Sequence, residues 1–187
     1  WTVKIPLAND QGEVERYIGI SSDITDQKRL ENELRESHGR LEVQLEEICR
    51  LRDELHIQAT HDALTGLYNR RFLNDGFKKQ LDEVDFNVQN LTLVMIDLDK
   101  FKSFNDTYGH LHGDKLIQHS AKIISEEIRE QDFAFRYGGE EFLVVIDGDH
   151  HIAQRVASRI LNTYRNSPFS VNGERINKTL SIGIKQL

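Results

Sequence analysis

The pattern of hydrophobic and polar positions divides the chain into three segments. Residues 1–25 predict two β-strands, at residues 1–6 and 15–21, joined by the polar turn NDQG. From residue 26 to residue 58, an apolar side chain recurs every seven residues among glutamates and arginines, which is a heptad pattern. The third segment begins near Ala59 and alternates predicted helices with predicted strands.

The heptad stripe consists of Leu34, Leu41, Ile48 and Leu55, whereas its companion stripe is only half apolar. A helix over residues 26–58 would be about 50 Å long. A single helix has nothing against which to bury this narrow stripe, so the pattern favours a parallel coiled coil between two copies of the chain. A solvated spacer helix is the alternative.

The third segment predicts an α+β domain. Apolar periodicity predicts helices at residues 70–84, around 116–128 and 152–164, and strands at residues 91–96, 133–137, 142–146 and 179–184. Glycine-containing turns at residues 138–139 and 171–174 predict two β-hairpins. Since hairpins pair antiparallel strands, we expect a central, mainly antiparallel sheet flanked by helices.

Composition narrows the classes of function. The net charge of -7 argues against a general nucleic-acid surface, but it permits a small anion neutralised by a metal and a few lysines. No run approaches the roughly 18 apolar residues that cross a membrane, so we expect no membrane span within this segment. The single cysteine, Cys49, excludes an internal disulfide and suits a reducing cytoplasm.

Carboxylates stand at two predicted strand ends. Asp97 and Asp99 follow the apolar run at residues 91–96, while Glu140 and Glu141 open the strand after the Gly-Gly turn. If the two strands are neighbours, these oxygens form a site suited to Mg²⁺ or Mn²⁺. The glycines allow a tight turn and the close approach of a bulky group. An Asp pair that ends a strand and a charged surface hairpin are the alternatives.

Three motifs, in order along the chain, identify a family. HDALTGLYNRR at residues 61–71 precedes DLDKFKSFNDTYGHLHGD at residues 97–114, and RYGGEEF follows at residues 136–142. Together they closely resemble the GGDEF-domain family, the diguanylate cyclases, in its GGEEF form. The resemblance implies a fold of the ferredoxin-like or nucleotide-cyclase palm type. It also implies the condensation of two GTP molecules into cyclic di-GMP, with release of pyrophosphate.

The resemblance assigns catalytic and metal-binding roles to matching positions. Asp97 and Glu140, with the backbone carbonyl of Leu98, would bind Mg²⁺ or Mn²⁺. Glu141 would complete the acidic cluster and orient or deprotonate the attacking ribose hydroxyl. Asp97, Glu140 and Glu141 are therefore the expected catalytic residues.

The resemblance also assigns contacts with the nucleotide. Asn105 and Asp114 would recognise guanine, because a carboxylate accepts from both N1–H and the 2-amino group, a pair that adenine lacks. Lys102 would contact phosphate. Gly138 and Gly139 would let the triphosphate lie close to the backbone.

An inhibitory site for the product is expected at Arg129 and Asp132, which match the family's Arg-x-x-Asp motif before the signature. The same pattern occurs at Arg50 and Asp53 in the linker. Position along the chain, and not the pattern itself, therefore supports Arg129 and Asp132 as a site for cyclic di-GMP.

The start of the chain resembles the closing strands and the DIT exit of a PAS sensor domain. We therefore expect the end of a PAS domain at residues 1–25, a coiled-coil signalling helix at 26–58 and a GGDEF domain at 59–187. Typical members continue with a further C-terminal helix, so we expect this chain to be a fragment of a longer polypeptide.

The resulting hypothesis is a sensor-regulated diguanylate cyclase of the bacterial cytoplasm, working as a homodimer through the linker helix. Two alternatives stay open from the sequence. One is a non-catalytic module that binds GTP or cyclic di-GMP, and the other is a dimerisation and relay element that uses the cyclase fold as a scaffold.

Overall fold

The structure, a computed structural model, describes residues 1–77 and 91–187. The chain forms two compact units, Trp1–Asp53 and Glu54–Leu187. Residues 78–84 of the helix predicted at residues 70–84 lie outside the described residues. Within the described ranges, no helix combines the length and the apolar character needed to cross a bilayer.

The first unit contains a two-stranded antiparallel sheet. Strand β1 spans Thr2–Ala8 and strand β2 spans Val14–Ser21. The side chain of Asn9 shapes the turn between them, because its Oδ1 accepts hydrogen bonds from the amides of Gln11 and Glu13 at 3.1 and 3.0 Å. The two strands predicted at the start of the chain are therefore present.

Helix α1 spans Thr25–Thr60, so the long helix predicted from the heptad pattern is present. Asp23 precedes it and accepts a hydrogen bond from the amide of Thr25 at 2.9 Å. The apolar side chains of the heptad stripe are all exposed on this helix: Leu34, Leu41, Ile48 and Leu55. The helix thus presents an apolar stripe, and its pairing with a second copy stays a prediction.

The second unit contains the remaining elements. They are β3 (Tyr68–Asn69), α2 (Arg70–Asp75), β4 (Leu91–Leu98), α3 (Phe101–Tyr108), α4 (His110–Glu127), β5 (Phe133–Arg136), β6 (Glu141–Asp147), α5 (His150–Asn166), β7 (Phe169–Val171), β8 (Glu174–Ile176) and β9 (Leu180–Gln186). Strands β7 and β8 form a separate hairpin, and the other strands form one five-stranded sheet.

The five-stranded sheet has the order β3-β5-β6-β4-β9. All its pairs are antiparallel except the short pair between β3 and β5. The succession β4-α4-β5-β6-α5-β9 is the strand-helix order of the ferredoxin-like fold, to which β3 adds a fifth strand. The predicted α+β fold, with a mainly antiparallel sheet flanked by helices, is confirmed.

The sheet has an apolar core on each face because side chains alternate along a strand. Val94, Ile96 and Leu98 of β4 face the helices and pack in the larger core with side chains of α4 and α5. Leu91 and Leu93 face the other way and pack with Phe135 and other aromatic side chains. We call the side of Leu91 and Leu93 the second face; alternation places Asp97 on it.

Helix α3 was not predicted from periodicity. It has only eight residues, and its apolar side chains Phe101, Phe104 and Tyr108 are too few to define a period. Gly109, with φ of 82°, separates α3 from α4. Phe101 and Phe104 of α3 belong to the same apolar core as Leu98 at the end of β4.

The β7–β8 turn provides a test of the fold. Asn172 and Gly173 both have positive φ, 51° and 88°, as a two-residue type I′ turn requires. The substitution Gly173→Ala should lower the free energy of unfolding by about 1 kcal/mol, because a Cβ is strained in this conformation. Urea denaturation measures the change. Asn172→Gly is the matched control and should change stability by only a few tenths of a kcal/mol; equal losses would contradict this account.

Candidate active site

The acidic residues predicted at two strand ends lie next to each other. Strands β4 and β6 are antiparallel neighbours, and Asp97 pairs in register with Glu141. Glu140 lies in the turn just before β6, and its carbonyl accepts a hydrogen bond from the amide of Leu98 at 3.3 Å. The structure therefore brings together all the residues expected to hold a metal: Asp97, Leu98 and Glu140.

The carboxylates at this edge have no countercharge. Among the described residues, Asp97, Glu140 and Glu141 form no ion pair within 4 Å. Unpaired hard oxygen donors fit a divalent cation such as Mg²⁺ or Mn²⁺. The described part of the chain contains no preformed cluster of three acidic, histidine or cysteine side chains for a metal. The case for a cation here therefore depends on the type of ligand atoms that these residues carry.

The two glycines of the turn differ in what surrounds them. A Cβ on Gly138 would lie 2.4 Å from Oε2 of Glu141, whereas a Cβ on Gly139 would meet nothing within 4 Å. The amides of Tyr137 and Gly138 both donate to the carbonyl of Glu141, at 2.9 and 3.2 Å. Gly138 therefore makes room for the Glu141 carboxylate, and Gly139 leaves open space beside the turn.

Asp97, Glu140 and Glu141 together are called the acidic edge below. Asp99 does not join it, although it follows Asp97 closely in sequence. Its carboxylate accepts hydrogen bonds from the hydroxyls of Ser181, at 2.6 Å, and Thr179. These bonds, and to a lesser extent the nearby charge of Lys178, hold the pKa of Asp99 below its ordinary value. Asp99 therefore ties the end of β4 to the start of β9.

The residues expected to recognise guanine lie on two adjacent helices. Asn105 is on α3 and Asp114 is exposed near the start of α4. The Oδ1 atom of Asn105 is buried without a hydrogen-bond partner in the described structure. A Cβ on Gly113 would lie 1.9 Å from that atom, so any larger residue there would force the Asn105 side chain to move. A buried acceptor without a donor is costly, and a ligand donor would remove that cost.

Lys102 is also on α3, with an exposed side chain. The backbone before it is unusual, because Lys100 has φ of 56° although it is not glycine. This left-handed residue turns the chain from β4 directly into α3. The turn thus places a helix with an exposed lysine immediately after the strand that carries Asp97.

Arg129 and Asp132 lie between α4 and β5, at the opposite end of β6 from Glu141. Oδ2 of Asp132 accepts from the amide of Arg129 at 3.0 Å, and Oδ1 accepts from the amide of Asp147, the last residue of β6, at 3.1 Å. Since β6 rises about 3.4 Å per residue, this site lies roughly 20 Å from Glu141. Asp132 is only 6% exposed, whereas Arg129 is exposed. Asp132 therefore has a structural role here.

The sequence did not single out Asp62 and Arg136, although both lie within the quoted motifs. Nη1 of Arg136 contacts both carboxylate oxygens of Asp62, at 3.0 and 3.2 Å. Nε and Nη2 of Arg136 donate to the carbonyl of Gly139 at 3.3 and 3.0 Å. The motif spacing alone cannot reveal this contact, because 74 residues separate the two charged side chains.

A ferredoxin-like sheet that carries carboxylates at the ends of two neighbouring inner strands is typical of a domain of the nucleotide-cyclase palm type. Comparison with protein families matches residues 59–187 to the family described as "Diguanylate cyclase, GGDEF domain". The chain belongs to this family, as its motifs predicted.

Similar proteins of known name are diguanylate cyclases, which is consistent with this family. Diguanylate cyclase DgcS of Shewanella oneidensis is 39% identical over 109 residues, which are 58% of this chain and 37% of that protein. Diguanylate cyclase DosC of Escherichia coli K12 is 38% identical over 124 residues, 65% of this chain and 27% of that protein. The chain thus spans well under half the length of these two relatives.

One similar solved structure contains a coiled coil together with a GGDEF domain. It is the coiled coil and GGDEF domain of DgcB from Caulobacter crescentus in complex with c-di-GMP. The TM-score is 0.68 at 27% sequence identity, and the match covers 83% of this chain and 81% of that one.

The contacts of Asp132 predict a loss of stability when it is truncated. Asp132→Ala leaves two amides without their acceptor, which should lower the free energy of unfolding by about 1–3 kcal/mol in the absence of any nucleotide. Urea denaturation measures the effect. Arg129→Ala is the control from the same motif, and its exposed side chain should cost less than about 0.5 kcal/mol. Unchanged stability of Asp132→Ala would show that its carboxylate is not structural.

Proposed function

We propose that the protein is a diguanylate cyclase, which condenses two GTP molecules into cyclic di-GMP and releases pyrophosphate. The observation that carries this proposal is the register pairing of Asp97 with Glu141. It concentrates unpaired carboxylates at one edge of a GGDEF-family sheet. The curated relatives named above are diguanylate cyclases, which supports the same reaction.

In the proposed reaction, the 3′-hydroxyl oxygen of each GTP forms a bond with the α-phosphorus of the other GTP. The bond from that phosphorus to the β-phosphate oxygen breaks, and pyrophosphate leaves. Glu141 accepts or orients the hydroxyl proton, and Gly138 leaves it the space to do so. Asp97, Glu140 and the Leu98 carbonyl would hold Mg²⁺ or Mn²⁺. When bound, the metal supplies the positive charge that the triphosphate needs.

Asn105 and Asp114 would recognise guanine. The buried Oδ1 of Asn105 provides an acceptor that lacks a partner in the described structure, and the exposed carboxylate of Asp114 provides another. Lys102 would bind phosphate, and Gly138 and Gly139 would let the triphosphate approach the backbone. These contacts with GTP, which the family resemblance implies, are therefore part of this proposal.

Two protomers are needed, because each GTP is both nucleophile and electrophile. The exposed heptad stripe of α1 supports a parallel coiled coil, which would raise the effective concentration of the two half-sites. The similarity to a structure of a coiled coil with its GGDEF domain supports the same arrangement.

Regulation completes the proposal. Residues 1–25 would be the end of a PAS sensor domain, residues 26–58 the coiled-coil signalling helix, and residues 59–187 the cyclase domain. Arg129 and Asp132 would bind cyclic di-GMP as an inhibitor, through the exposed guanidinium and the remaining lone pairs of the carboxylate. The protein would act in the bacterial cytoplasm.

The reaction is tested by incubating the purified protein, at its full natural length, with GTP and Mg²⁺ and separating the products by chromatography. Cyclic di-GMP should form, and Glu141→Gln should reduce its rate by about 100-fold or more, as expected for loss of a general base. Glu174→Gln, on the remote β8 strand, is the matched control and should retain the full rate. GTP binding without product in the wild-type protein would instead support a non-catalytic binding module.

A second prediction concerns guanine recognition. Gly113→Ala places a Cβ where Oδ1 of Asn105 now lies, at 1.9 Å, so Asn105 must move. We expect the affinity for a fluorescent GTP analogue to fall about 5- to 150-fold, which corresponds to about 1–3 kcal/mol for one buried hydrogen bond.

The control for this prediction is Gly183→Ala on β9, where an added Cβ would meet nothing within 4 Å. Its affinity for the analogue should match that of the wild-type protein. An unchanged affinity in Gly113→Ala would remove Asn105 from the nucleotide site.

A further inference from the structure

We infer that Arg136 is a positioning residue for the acidic edge, and that Asp62 holds Arg136 in place. In this inference the guanidinium fixes the Gly-Gly turn in the shape that presents Glu140 and Glu141. The inference rests on the proposed function, because it concerns the residues proposed to bind the metal and to activate the hydroxyl.

Arg136 makes two sets of contacts at once. One edge of the guanidinium binds the Asp62 carboxylate, with Nη1 3.0 Å from Oδ1. The other edge, through Nε and Nη2, donates to the Gly139 carbonyl at 3.3 and 3.0 Å. A guanidinium is a rigid planar fork of donors, so fixing one edge also fixes the other. The position of Asp62 therefore determines where the Gly139 carbonyl is held.

This contact adds to the backbone hydrogen bonds of the turn, in which the amides of Tyr137 and Gly138 donate to the Glu141 carbonyl. Residues 138–140 lie outside the strand ladder, between the end of β5 and the start of β6. Two consecutive glycines give this backbone more freedom than any other residue pair would. Gly139 directly precedes Glu140, so a shift of the Gly139 carbonyl moves the peptide that leads into Glu140.

Asp62 is itself firmly held. Its Oδ1 accepts from the amide and the hydroxyl of Thr65, at 3.0 and 2.8 Å, and its amide donates to the carbonyl of Leu67 at 2.7 Å. Burial acts to raise the pKa of Asp62, but hydrogen bonds from Thr65 and the hydrogen bond and charge of Arg136 outweigh it and lower the pKa. Asp62 is therefore ionised at neutral pH, and its contribution is lost only as the pH falls through this lowered pKa.

The pair is also shielded from water. The side chains of Arg136 and Asp62 are only 18% and 23% exposed. Fully exposed ion pairs contribute little to stability. A partly buried pair with several hydrogen bonds holds its two side chains in a defined geometry.

Residues that follow Asp62 in the chain make further contacts with β5 and with the start of the turn. Strand β3 lies parallel to β5, with Asn69 in register with Arg136. The guanidinium of Arg70 lies 4.5 Å from the ring centroid of Tyr137, the residue next to Gly138. Residues 62–70 therefore contact β5 and the residue after it, which lead into the turn.

The test compares Arg136→Lys and Asp62→Asn with Glu127→Gln. The lysine keeps a cation for Asp62 but cannot donate to Gly139 from the same rigid fork. The asparagine removes the charge that anchors Arg136. The control removes the carboxylate of another charged pair between elements, in which Nε of Arg159 lies 3.1 Å from Oε2 of Glu127. This control pair joins α5 to the end of α4 and lies outside the proposed catalytic machinery.

We expect Arg136→Lys to lower kcat by between about 10- and 100-fold, since a misplacement of about 1 Å can cost 100-fold. Asp62→Asn should lower kcat less. Both should raise the Mg²⁺ concentration that gives half-maximal rate, while the affinity for a fluorescent GTP analogue, measured without Mg²⁺, stays within about twofold. Glu127→Gln should change Tm comparably and leave kcat and the Mg²⁺ dependence unaltered.

Amide hydrogen exchange separates failure of this inference from failure of the proposed function. The amides of Tyr137 and Gly138 should exchange faster in Arg136→Lys than in the wild-type protein or in Glu127→Gln. If the wild-type protein makes no cyclic di-GMP, the proposed function fails while faster exchange would still support the positioning of the turn. Unchanged exchange in Arg136→Lys, or an equal fall in kcat for Glu127→Gln, would overturn the inference.

Discussion

The antiparallel register of β4 and β6 is the constraint on which the acidic edge depends. It sets Asp97 opposite Glu141, although like charges in directly opposed positions destabilise a sheet by roughly 0.2–1 kcal/mol. The next pair along the ladder, Ile96 and Phe142, is fully buried on the helix-facing side. Burying each of these side chains contributes about 1.5–3 kcal/mol. The core therefore outweighs the repulsion, and a slip of one residue would expose the apolar side chains.

Alternation along the same strands decides which side of the sheet carries the site. Helices α4 and α5 cover the face that contains Val94, Ile96 and Phe142. Asp97 and Glu141 point to the second face, where Leu91, Leu143 and the aromatic side chains fill the far end of the strands. The acids thus occupy the end of that face beyond its apolar core. One repeating pattern supplies both the packing of the domain and the open position that a nucleotide and a cation would need.

Much of this arrangement could be predicted from the sequence, because strand and helix periods record which side chains are buried. The order of strands and helices, both hairpins and the neighbouring acidic strand ends follow from that signal and from the family motifs. Periodicity missed α3, which is too short to show a period. The sequence also could not reveal that Asp99 bonds to Ser181 and Thr179, or that the Asp132 carboxylate caps backbone amides. Those contacts join residues whose proximity only the folded chain creates.

The two halves of the acidic edge are held by different means, and this difference explains where polar contacts concentrate around it. Asp97 lies within a strand that has paired neighbours on both sides, so the sheet itself fixes its position. Glu140 lies in a glycine turn outside the ladder, where backbone pairing alone leaves considerable freedom. Its carbonyl is bonded to the Leu98 amide, and the preceding Gly139 carbonyl is bonded to Arg136. Because the two glycines have no side chains that could pack, fixed geometry in the turn must come from bonds to backbone carbonyls. The Leu98 amide and the Arg136 guanidinium provide such bonds.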